Sequence, residues 1–193
     1  EPAGKVQGPK MRAAMRSLRL AKLAPGVATN GVIKKVDQSK VPVIAAEQQP
    51  GVAAKLDDPR QEFDVSKLIA QIEQECVYPD GFGATRGSKD TTKWGGDSGE
   101  VSYCLSLMSR ISAVLTSPSF ACVFNSPDPA LTTAIGDFVA NDKRLLRICL
   151  SGVAYEFKAR EIVANVIGRH LLNMARAGGF AASPVVVVVD EAH

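Results

Sequence analysis

The stretch Pro184-Val185-Val186-Val187-Val188-Val189-Asp190-Glu191-Ala192-His193 decides how this chain is read. An unbroken run of five β-branched residues predicts a strand buried on both faces, as in a parallel sheet. Two adjacent carboxylates end it. Charges in tandem at the C-terminal end of a buried strand are costly unless they bind something or reach solvent in a crevice.

Outward from that run, the preceding fifty residues complete a unit. Arg144 to Leu150 (RLLRICL) reads as a strand and Ser151-Gly152 as a turn. From Phe157 to Ala177, the residues Ile162, Val163, Val166, Ile167, Leu171 and Met174 recur at helical spacing, and Gly178-Gly179 stops the helix. Strand, long helix, strand is a βαβ crossover with parallel strands. Residues 141–193 are therefore expected to be an α/β core segment.

Residues 1–140 read as a mostly helical region. Met11, Ala14, Met15 and Leu18 form an amphipathic stripe among Lys10, Arg12, Arg16, Arg19 and Lys22. Those cations make either the solvated face of a packed helix or a surface for a phosphate backbone or a neighbouring subunit. Val41 to Ala46 has the composition of a short strand, and Pro50 to Pro59 that of a loop. Asp64 caps a helix running to about Cys76, and Tyr78 to Gly99 forms a long polar loop. Two further helices follow, one from Val101 to Leu115 and one marked by Leu131, Ile135, Phe138 and Val139.

Composition bounds the rest. A chain of 193 residues can bury a sizeable core, and a net charge of +3 permits a nucleic-acid partner without arguing for one. Cys76, Cys104, Cys122 and Cys149 lack metal-ligand spacing and read as buried free thiols, which fits a reducing cytoplasm. No stretch reaches the about 18 apolar residues of a membrane span. The chain begins without Met and stops on the carboxylates, so it is expected to be a piece of a longer protein.

The hydrophobic run with Asp-Glu has the form of a Walker B strand, in which one carboxylate helps hold Mg²⁺ and the next handles the attacking water. No GxxxxGK[ST] segment occurs in the chain. A DEAH-box helicase would carry that loop within the interval before Asp190, which holds only helices and polar loop, so that reading is disfavoured.

The order of segments resembles the HerA branch of the HerA–FtsK superfamily of hexameric DNA-translocating ATPases. The resemblance rests on FDVSKLIAQIEQ (63–74), VSYCLSLMSRISAVLTSPSF (101–120) with FACVF, KRLLRICLSGVAYEFKAREIVANVIGRHLLNMARAGG (143–179) and PVVVVVDEAH (184–193). It implies part of a RecA-like P-loop NTPase core carrying a helical insertion, and an ATP-driven translocase or helicase acting on duplex DNA. ATP and Mg²⁺ would be its cofactors, and a homo-oligomeric ring, a hexamer, its assembly. A NurA-like nuclease or another effector would be its partner, with roles in DNA repair or antiviral defence. Asp190 matches the Mg²⁺-associated carboxylate and Glu191 the catalytic one. His193 would relay nucleotide state, Ser151 would approach the γ-phosphate, and Arg160 would reach a neighbour's site. The sequence departs from relatives at Cys149, where they carry an acidic residue, and in lacking the P-loop, so the piece alone is expected to be inactive. Two other readings stay open: a conjugation-type ATPase of the same superfamily, and a non-catalytic α/β binding or assembly module.

Overall fold

The structure, a computed structural model, describes residues 2–58, 61–81, 90–120, 131–141, 145–153, 158–181 and 184–190. The chain divides into two compact units, Glu1–Ala113 and Val114–His193. The described helices are α1 (Pro2–Leu23), α2 (Val41–Glu47), α3 (Pro50–Leu56), α4 (Leu68–Glu75), α5 (Val101–Thr116), α6 (Leu131–Ala140) and α7 (Ala159–Arg176).

In the first unit, α1 serves two apolar clusters at once. Ala14 and Leu18 pack with Leu68, Ile72, Cys76 and Cys104 of the α4–α5 side, whereas Leu20 and Ala21 pack with Ile33, Val43, Ala46, Val52 and Leu56. The Val41–Ala46 segment, expected as a strand, is helix α2. Pro42 at its start suits a first helical turn, and Val43 and Ala46, three apart, turn the same face inward. The Pro50 segment, expected as loop, is helix α3 for the same reason, with Pro50 leading and Val52 and Leu56 buried four apart. Asp64 does cap: its carboxylate accepts from Ser66 N–H at 3.0 Å.

Between α1 and α2 the chain reverses at Asn30-Gly31. Both residues have positive φ, 52° and 77°, and Thr29 and Val32 exchange two backbone hydrogen bonds, the pattern of a type I′ turn. The segment that follows, residues 33–35, has no strand beside it among the described residues. Side chains of α4 do that job instead. Gln71 bonds both the N–H and the carbonyl of Ile33, and Gln74 accepts from the N–H of Lys35. A helix repeat of three residues is matched here to a strand repeat of two.

The polar loop is pinned where it is described. Trp94 N–H donates to the Gln38 carbonyl at 2.9 Å, Gly95 N–H to Tyr78 at 2.8 Å, and Lys40 N–H to Thr92 at 2.8 Å.

The expected α/β core is overturned. Among the described residues helix dominates and no sheet occurs; strand-like pairing there is limited to isolated bridges at Thr29–Val32, Ser39–Lys93 and Val77–Asp97, all in the first unit. Residues 145–150 and 184–189 have no regular structure. The valines are open to solvent, with Val186 86% and Val188 84% exposed. A β-branched run specifies a strand only when another strand supplies hydrogen bonds to it, and no described residue does so. The helix of the supposed crossover is present as α7, but the described residues hold no parallel strands for it to connect. A RecA-like sheet is thus not part of this fold as described.

Candidate functional site

The second unit builds its small core where Phe120, Val153 and Ala159 meet, with Val114 and Leu150 packed against them. Val153 N–H donates to the Leu150 carbonyl at 3.0 Å, closing a turn that leaves Ser151 and Gly152 exposed. Lys158 takes a left-handed conformation, φ 56°, and α7 begins directly after it.

Arg160, in the first turn of α7, reaches back over this turn. Its guanidinium donates to the Val153 carbonyl and, at 3.1 Å, to the Ser151 carbonyl. A charged donor makes strong hydrogen bonds to such carbonyl oxygens. Ser151 and Arg160, both singled out from sequence, therefore stand together. The contact runs through the Ser151 backbone and not its hydroxyl.

The Ser151 hydroxyl instead meets Cys149, with Oγ and Sγ 3.0 Å apart. That contact, first from the hydroxyl and then from the Ser151 backbone, holds the exposed Cys149 thiol below its ordinary pKa, and the charges of Arg147 and Arg160 add to it. Cys149 entered the sequence reading as a buried thiol and as a departure from relatives; it is exposed, whereas Cys76 and Cys104 are buried as expected and Cys122 lies outside the described residues. Its signal was the spacing Cys149-Leu150-Ser151, since residues two apart on extended chain share a side.

Asp190 is exposed at the end of the valine run and makes no hydrogen bond or ion pair with another described residue. Glu191 and His193 lie outside the described residues. One open carboxylate suits a water-mediated role toward Mg²⁺ carried on nucleotide phosphates. No group of three or more His, Cys, Asp or Glu that could hold a metal ion by itself occurs among the described residues.

The cations of α1 are largely occupied within the fold. Lys10 pairs with Glu100 at 2.6 Å and donates to the Glu75 carbonyl at 2.7 Å. Arg16 pairs with Glu47 and Asp57, Lys22 with Glu62, and Arg19 lies over the Phe63 ring. Arg12 is exposed. This is the pattern of a packed helix whose charged face binds its own neighbours. No described helix is long and apolar enough to cross a membrane.

No family model matches the chain, and no curated protein and no solved structure is similar to it.

Proposed function

We propose that these residues belong to an ATP-driven DNA translocase of the HerA type, to which they contribute the carboxylate pair Asp190-Glu191 and the Ser151 turn. The observation that carries this reading is the order of segments in the sequence: Leu-Ser-Gly, an Arg-Glu helix start, a helix closed by Gly-Gly, then the valine run and its carboxylates. The limits of α7, Ala159 to Arg176, suit that order, with Arg160 at its start. The turn, the helix and the exposed Asp190 lend support; a nucleotide site is not assembled among the described residues.

In such a machine Glu191 orients the water that attacks the γ-phosphate, and Asp190 steadies Mg²⁺ through water. ATP and Mg²⁺ are the cofactors of this proposal, duplex DNA its substrate and a homo-oligomeric ring its assembly.

The test is ATP turnover with and without duplex DNA, measured on the longest natural chain that contains these residues, beside its Glu191→Gln variant. DNA-stimulated turnover that disappears in the variant is expected. Absence of turnover in the unaltered protein overturns the proposal. It favours the non-catalytic binding or assembly reading, which the exposed, unpaired valine run also fits.

A further inference from the structure

Cys76 and Cys104 are 1% and 0% exposed and share one apolar cluster with Ala14, Leu18, Leu68 and Ile72. Cys76 ends α4, its thiol donating to the Ile72 carbonyl at 3.3 Å, and Cys104 lies in the first turn of α5. Within that cluster the two side chains are near enough for their thiols to interact. Burial first, and the adjacent Cys104 thiol second, push the Cys76 thiol up to about 12. Both are free thiols. Two neighbouring thiols inside one packed cluster are an arrangement that packing alone does not require, since alanine or valine fills such sites without a reactive group.

We propose that Cys76 and Cys104 are a modification site, a dithiol that closes reversibly to a disulfide in exchange with a small organic disulfide. The thiolate of one cysteine attacks a sulfur of the oxidant, releasing one small thiol and leaving a mixed disulfide on the protein. The thiolate of the other attacks the protein sulfur of that mixed disulfide and releases the second small thiol. Two electrons pass from the protein to the oxidant, and the two protons leave with the released thiols. Burial disfavours the thiolate, so the first attack waits on a local opening of the α4–α5 seam and is slow in the native protein. Once formed, the bond ties the end of α4 to the start of α5 and closes the segment bearing Trp94 into a loop. It narrows the unfolded ensemble and stabilises the first unit. This inference is independent of the motor reading.

The test uses the Cys149→Ser protein, because exposed Cys149 would itself capture the oxidant. It is incubated with oxidised glutathione, with and without a mild concentration of denaturant, then digested without reduction and mapped by mass spectrometry. The expected product is a peptide pair joined through Cys76 and Cys104, with Tm raised by about 5–15 °C and returned by dithiothreitol. A stable glutathione adduct on either cysteine, a link to Cys122, or both thiols still free after opening in denaturant would overturn the proposal.

Discussion

Gln71 stands to Ile33 as a neighbouring strand would, its carboxamide oxygen accepting the Ile33 N–H at 2.9 Å and its nitrogen donating to the Ile33 carbonyl at 3.1 Å. Both residues are fully buried, so neither backbone group has water as an alternative partner. Gln71→Leu fills the same space but orphans both groups. Each orphan costs about 1–3 kcal/mol, so a loss of about 2–6 kcal/mol is expected in urea unfolding. A loss within experimental error would mean that Ile33 is held by something other than this side chain.

The same network ends in a buried ion pair. Glu75 takes Lys35 Nζ at 2.6 Å on one oxygen and the Ser17 hydroxyl at 2.7 Å on the other, and Lys35 also lies 5.0 Å from the centre of the Trp94 ring. With side-chain exposures of 11% and 6%, water cannot replace a lost partner. Lys35→Met should therefore cost about 3–5 kcal/mol, because it strands the carboxylate. Adding Glu75→Gln removes the stranded charge and keeps an acceptor for Ser17, so the double variant should recover part of the loss. A double variant no better than the single one would place the damage in packing around Trp94.

Lys10 gives unit 1 a modest acid sensitivity. Its hydrogen bond to Glu100 holds that carboxyl below the ordinary 4.5. A carboxyl depressed by folding adds stability above its unfolded pKa and loses it as pH falls through the folded value. Glu100 is one-third exposed at its side chain, 33%, so solvent screening keeps the contribution under about 1 kcal/mol. The stability gap between the unaltered protein and Glu100→Gln should be present at neutral pH and shrink as pH falls below the ordinary 4.5 and through the lowered folded-state value. A gap independent of pH would remove the ion pair as its cause.

Much of the helical frame was legible in the sequence because its signals are local. The stripe Val65, Leu68, Ile72, the run from Val101 and the long repeat from Ile162 to Met174 each sit on observed helix. Val41-Pro42-Val43-Ile44 misled because its β-branched content outweighed a spacing only one turn long. Asn30-Gly31 is a strong short signal for a hairpin turn and was passed over. The Gln71, Lys35 and Glu75 network joins segments about forty residues apart, and no local pattern announces it. The valine run failed for the converse reason: composition states what a segment tolerates, whereas a strand exists only through hydrogen bonds to another segment. Of the expected site residues, Ser151 and Arg160 met because a turn and a helix start adjoin in the chain. Asp190 has no hydrogen-bonding partner among the described residues.

Cys149 should be the reactive thiol among Cys76, Cys104 and Cys149. It is exposed, and Ser151 holds its pKa down, so more of it is thiolate at neutral pH. Iodoacetamide should label Cys149 well before Cys76, whose thiol is pushed up to about 12 and buried. Ser151→Ala should slow labelling of Cys149 by raising its pKa, visible as a shift of the rate–pH profile to higher pH. An unchanged profile would assign the lowered pKa to the Ser151 backbone, with Arg147 and Arg160, instead of the hydroxyl.

The valine run offers the sharpest test of the fold. A strand buried on both faces would not accept a charge, and Val188→Asp there would cost well over about 3 kcal/mol by burying an unpaired carboxylate. As the structure stands, Val188 is 84% exposed and pairs with nothing described, so Val188→Asp should change stability by no more than about 0.5 kcal/mol. The substitution should also reduce self-association, since four exposed valines in a row without a charge among them form a template for β-pairing between molecules. Unfolding and light scattering on the same pair of proteins separate the cases. Unchanged stability with less association is the outcome of an open run, and a large loss of stability is that of a strand in a sheet.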